Sequence, residues 1–229
     1  MITNSTTRII NLVFLWCLAL GTQASTTDKN KETLTISSAI KAAATSSETT
    51  VIEVHFRNGE NGYQGAEDTH IAKGSRHKNW GNLGSLNADG FSLRHTEFVT
   101  LLKWNIAKIP KDAEVIGASL TFKVFNWSNG TFHLIEALSE WSEQLATWDN
   151  TYSQQFEGRR VGSFSPVSTG TKIIELDEQG LALIQEWVRD PDSNNGFIIR
   201  SSGDTNGFDM HSSEYSTVYK RPKLTVFYR

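Results

Sequence analysis

Apolar and polar positions alternate at short range over most of this chain. In Leu120-Thr121-Phe122-Lys123-Val124 the apolar side chains are two apart and share one face, while Thr121 and Lys123 share the other. That is the pattern of a half-buried antiparallel strand. Segments dense in β-branched and aromatic residues predict further strands at Val51–Phe56, Glu97–Trp104, Ala118–Phe125, Thr131–Leu138, Thr171–Leu176, Phe197–Arg200 and Lys223–Tyr228. Between them, Asn58–Gly65, Asn79–Gly84 and Asn87–Gly90 are rich in the residues that make turns. One stretch follows a different period: from Glu178 to Asp190, Leu181, Ile184, Trp187 and Val188 recur at three- and four-residue spacing, with Glu178, Gln185, Glu186 and Arg189 on the opposite side. It predicts one short amphipathic helix ending before Pro191. The whole reads as an all-β fold, an antiparallel β-sandwich with one short helix packed over an open end.

The N-terminus has its own pattern. Arg8 precedes the apolar run Leu12–Leu20, which is followed by Gly21-Thr22-Gln23-Ala24, and this order predicts a signal peptide over residues 1–24. The run is far shorter than the ~20 residues of a membrane-crossing helix, although a retained anchor is the alternative reading. Residues 25–50 are mostly Ser, Thr, Ala, Lys and Glu, too poor in large apolar side chains to offset the entropy of ordering them. They read as a disordered leader, with at most a marginal helix around Ile36–Ala44. The sandwich is then expected over residues 51–229, secreted or displayed at the cell surface, with no membrane span after cleavage.

Composition narrows the partners. Cleavage after Ala24 removes Cys17, the one cysteine, so no disulfide staples the mature domain. Removing Arg8 from the 22 basic residues leaves 21 against 25 acidic ones, a net charge of −4. That balance argues against nucleic acid or an anionic membrane as a partner, and any anion site must be local.

Several motifs appear in a characteristic order. They are Phe56-Arg57-Asn58-Gly59 running to Gly65-Ala66-Glu67-Asp68-Thr69, then Leu101-Leu102-Lys103-Trp104-Asn105 with Ile109-Pro110, then Ala113–Phe122. Trp141-Ser142-Glu143 with Ala146-Thr147-Trp148-Asp149-Asn150 follows. Asn195–Ser202, Ser212-Ser213-Glu214 and Arg221–Val226 complete the set. Together they resemble the DNRLRE-type domain, also grouped as carbohydrate-binding module family 96, from Val51 to Tyr228. The resemblance implies a jelly-roll-like sandwich of the kind appended to extracellular polysaccharide lyases, hydrolases and microbial surface proteins. Some members of that family look like binders of alginate, an anionic polyuronate.

Binding an acidic glycan requires flat aromatic faces against sugar C–H surfaces and cations that pair with carboxylates. Lys73, Arg76, His77 and Lys78 followed by Trp80 form the densest such cluster, and arginine can grip a carboxylate in a bidentate fork. The bland reading of this segment is a solvated loop whose charges keep the chain soluble. Lys103 and Lys123 are expected to project from the long strands, with Arg94 and Arg200 placed nearby, unless these lysines only protect strand edges. Trp104, Trp141, Trp148 and Trp187 sit among apolar residues and read as packing, whereas Trp80 and Trp127 lie in turn-rich segments and read as exposed.

Catalytic signatures are mostly missing: there is no His-Glu-x-x-His, no Gly-x-Ser-x-Gly and no phosphate-binding glycine loop. Glu67-Asp68 and Asp190 with Asp192 read as capping or solvated acids rather than a glycosidase pair. Tyr63 and His133 are the residues that a lyase reading would use as a base. No cofactor is expected. A structural calcium ion would be held by oxygen ligands, and Asp89, Asp204, Asn206 and Asp209 lie in suitable loops, but the spacing defines no ligand set. The leading expectation is a non-catalytic carbohydrate-binding module for an acidic polysaccharide such as alginate. The alternatives are a matrix or adhesion protein and a small polyuronate lyase.

Overall fold

The structure, a computed structural model, describes residues 50–90, 96–152, 156–203 and 206–229. The segment predicted as a signal peptide, nearly all of the predicted leader with its expected marginal helix, Arg94 and Asp204 lie outside the described residues. Among the described residues there are eleven strands and one full-length helix, and every strand pair is antiparallel.

Six strands form one sheet: β1 (Ile52–Phe56), β3 (Ser85–Ala88), β5 (Val115–Asn126), β8 (Gly170–Glu175), β10 (Phe208–His211) and β11 (Lys223–Tyr228). Their order is β1-β11-β5-β10-β3, with β8 also paired to β5. The other sheet runs β2 (Ala66–Ala72), β4 (Phe98–Trp104), β9 (Phe197–Ser201), β6 (Phe132–Ala137) and β7 (Glu157–Phe164). The expected sandwich with one short helix is therefore what the chain forms. β2, β3, β7 and β10 go beyond the strands that periodicity predicts, β2 because it is buried on both faces. β3 and β10 have only four residues each and β7 carries two glycines and two arginines, so none has a readable alternation of its own.

On β5, Ala118, Leu120, Phe122 and Val124 are buried, as the alternation requires, and they join the core between the sheets. From the five-stranded sheet, Leu102, Trp104, Leu134, Phe197 and Ile199 meet them there. This sheet is buried on its second face as well: Val99, Leu101, Ile135 and Ile198 pack against Trp141, Ala146, Trp148 and Phe156. The segment carrying those aromatics includes a single helical turn, α1 (Trp148–Thr151), whose Thr147 hydroxyl and Asn150 side chain cap each other's backbone N–H in a capping box. The helix α2 (Glu178–Arg189) begins at Asp177, whose carboxylate accepts from the Gly180 N–H, and it buries Leu183, Ile184, Trp187 and Val188. All four tryptophans read as packing residues are buried.

Gly196 marks where β9 enters this double-faced packing. Its φ is +79°, and a Cβ there would lie 2.2 Å from the Leu102 carbonyl oxygen. Gly196→Ala therefore combines a left-handed backbone with a clash against a central strand, and it is expected to cost about 2–5 kcal/mol. Urea unfolding of the variant checks this, and a loss under about 1 kcal/mol would mean that the backbone there yields easily. Among the described residues, no helix is long and apolar enough to cross a membrane.

Candidate functional site

The basic loop identified from sequence is a 3-10 turn, Lys73–Ser75, with its continuation to Trp80. Its cations are largely held internally. The Arg76 guanidinium and His77 Nδ1 both reach Asp149 of α1, the latter at 3.1 Å, and Lys73 Nζ lies 3.9 Å from Glu97. Trp80 is half-buried and stacks on His70 of β2 with centroids 5.0 Å apart, and the Lys78 ammonium sits 3.5 Å from its ring centroid. Burial lowers the His70 pKa to about 4, so at neutral pH that imidazole is an uncharged stacking surface. The loop thus pins α1 and the edge strand β2 through ion pairs and a π-stack.

Lys103 and Arg200 are also engaged. Lys103 Nζ pairs with Glu67 at 3.0 Å and donates to the Trp141 carbonyl at 3.2 Å, so it ties the aromatic segment to the sheet. Arg200 is gripped by Glu97 at 3.0 Å and Glu157 at 2.9 Å. These groups line a cleft of about 360 Å³ with His133, Ile135 and Ser201–Gly203. Beside it the Tyr152 hydroxyl donates to Glu157 at 2.7 Å, and burial with that carboxylate pushes the phenol further up. A lyase would need a basic oxygen or nitrogen and a free arginine to neutralise a uronate. Here the phenol holds its proton and the arginine is committed to two glutamates; His133, whose pKa burial and Arg160 lower, is the nitrogen base that lines the cleft, with its Nδ1 beside the Ser163 hydroxyl at 2.9 Å. Tyr63, raised by burial, likewise donates to the Asn105 carbonyl.

The remaining predicted strand cation has different surroundings. Lys123 and Phe125 lie on the face of β5 opposite to the core, and the Phe125 ring packs 4.9 Å from His211 of β10. His211 in turn stacks on Tyr215 at 3.7 Å, and Lys220 Nζ stands 5.5 Å from the Tyr215 ring. The His211 pKa is lowered by burial and by the positive charges of Lys220 and Lys123, and Lys123 precedes Val124, which pairs with Met210 in the β5–β10 register. Neither lysine has a carboxylate within ion-pair distance among the described residues. Phe125 is 45% exposed, and Trp127 and Tyr219 in the adjoining chain are 49% and 70% exposed. Lys123 is a candidate from the sequence, and Trp127 is exposed as its turn-rich segment predicts. His211, Tyr215 and Lys220 are not candidates from the sequence, because only the pairing of β10 with β5 sets them beside Phe125.

The loop acids weighed for calcium are spread among separate bonds. Asp209 accepts from Asn87 and Asn126, Asn206 accepts from the Ser128 hydroxyl, and Asp89 is buried in a bridge to Phe98. A different trio, Asp68, Glu143 and Glu214, brings three carboxylates together.

Against these features, the family model of carbohydrate-binding module family 96 matches residues 59–228, which takes in every described strand except β1. No curated protein matches the chain.

Proposed function

The chain belongs to carbohydrate-binding module family 96, and from that premise we propose that it is a secreted, non-catalytic binder of an acidic polysaccharide such as alginate. The observation that carries this reading is the Phe125–His211–Tyr215 stack flanked by Lys123 and Lys220. An aromatic surface meets the apolar faces of a pyranose, and two ammonium groups without acid partners attract its carboxylates. Of the other predicted cations, Lys73, Arg76, His77, Lys103 and Arg200 already face protein carboxylates, so presenting them to a polyuronate requires breaking an existing pair, while Lys78 has no carboxylate partner among the described residues and lies on the Trp80 ring. The engaged Tyr152 and Arg200 support binding rather than β-elimination as the role of this domain.

Affinity electrophoresis of the protein through gels containing alginate, pectin, xylan or no polymer tests the reading. Alginate is expected to retard the protein at low salt, and the retardation is expected to fade as the screening length falls from about 10 Å at 0.1 M to 3 Å at 1 M. Retention that is indifferent to salt would remove the electrostatic part of the proposal. No retention in any gel would favour a protein partner, as in a matrix or adhesion role. Growth of ultraviolet absorbance from an unsaturated uronate during long incubation would overturn the non-catalytic assignment.

A further inference from the structure

Asp68 on β2, Glu143 in the aromatic segment and Glu214 after β10 each offer a carboxylate oxygen, and the three lie within 4.8 Å of one another. Asp68 is only 2% exposed, and its Oδ1 is buried without a hydrogen-bond partner. Glu214 Oε2 is buried and unpartnered in the same way. The other oxygens are positioned by bonds that hold the carboxylates in place. Asp68 Oδ2 accepts from the Ser213 N–H at 2.8 Å, Glu143 Oε1 from the Asp68 N–H at 2.9 Å, and Glu214 Oε1 from the Ser213 hydroxyl at 2.6 Å. Among the described residues, no lysine, arginine or histidine pairs with any of the three. Lys103 is taken up by Glu67, whose second oxygen accepts from the Glu143 N–H.

One buried and two half-buried carboxylates without a cation repel one another and have lost much of their hydration, an arrangement that is costly unless something neutralises it. The donor set is all oxygen and anionic, with no nitrogen or sulfur ligand, which suits a hard divalent cation. We infer that Asp68, Glu143 and Glu214 form a calcium site that clasps the two sheets together. Asp68 comes from the edge strand of the five-stranded sheet and Glu214 from the segment leaving β10 of the six-stranded one. Glu143 belongs to the segment that covers the outer face of the five-stranded sheet. One ion at this point would therefore join three layers. This inference stands apart from the glycan reading, since the trio involves none of the residues proposed to meet the sugar.

The test is calcium binding by the full chain after treatment with a chelator, followed by calorimetric titration with calcium chloride and thermal unfolding with and without it. One ion per chain is expected. At about a hundred times the Kd, calcium is expected to raise Tm by roughly 5–10 °C. Asp68→Asn and Glu214→Gln, made separately, are each expected to abolish the calcium-dependent rise. They are also expected to melt higher than wild type in chelator, because each removes one of the mutually repelling charges. Should Asp68→Asn fail to fold, Glu214→Gln and the wild-type titration still decide the matter. The site is overturned if wild type shows neither heat nor a Tm shift up to about 10 mM calcium, above the weakest affinities of extracellular calcium modules. It is equally overturned if binding persists unchanged in Glu214→Gln.

Discussion

Trp187→Ala is expected to lower the unfolding free energy by about 3–5 kcal/mol, the range for deleting a large aromatic side chain from a packed core. The indole is 2% exposed and lies 4.9 Å from Phe197, so helix and sheet share one core there. α2 is amphipathic and too short to hold its shape without tertiary packing, and the anchoring of Trp187 with Ile184 and Val188 keeps it in place. Since a domain of this kind has only about 5–15 kcal/mol in total, the variant should sit near the edge of folding at 37 °C. Urea unfolding should show the loss as a lower midpoint at nearly constant m. Arg159→Ala provides the comparison. It removes the guanidinium that bridges Glu136 and Glu186 at the helix surface, and a partly solvated pair of this kind contributes no more than about 1 kcal/mol per partner. Equal losses in the two variants would mean that α2 is held by its surface charges rather than by its buried face.

The second large effect is on binding. Lys123→Ala combined with Lys220→Ala is expected to weaken alginate binding by about 30-fold at low ionic strength. This figure takes about 1 kcal/mol for each exposed ammonium–carboxylate contact and tenfold in affinity per 1.4 kcal/mol. Both lysines are free of carboxylate partners among the described residues, so their removal should change stability by less than about 0.5 kcal/mol, and the binding loss would not be a folding defect. The difference from wild type should shrink as salt is added, because screening removes from wild type what the substitutions remove from the variant. Lys78→Ala with Arg76→Ala is the matched control in the basic loop, with binding expected within about twofold of wild type. If that control loses the binding instead, the sugar meets the Lys73–Trp80 loop and Asp149 must release Arg76 to allow it.

Alternation along β5 and the 3.6-residue period of α2 are local properties, set by which side chains tolerate water. They were therefore legible from residue order, as were the order of motifs and the burial of Trp104, Trp141, Trp148 and Trp187. Short strands such as Ser85–Ala88 and Phe208–His211 carry no period of their own and become strands only because a neighbour supplies hydrogen bonds. The same limit applies to chemistry. A run of basic residues such as Lys73, Arg76, His77 and Lys78 is visible in sequence, but the acids that pair with it, Glu97 and Asp149, arrive from other elements. Asp68, next to Glu67 in the sequence, reads as one of two solvated acids. The fold buries it and brings up Glu143, 75 residues away, together with Glu214. Residue order by itself determined the class of fold, the helix and the resemblance to a carbohydrate-binding family, because those depend on periodicity and local composition. Tertiary structure alone decided which charges are neutralised, which aromatics stack and which carboxylates meet, because electrostatic and stacking energies depend on distance through space rather than on separation along the chain.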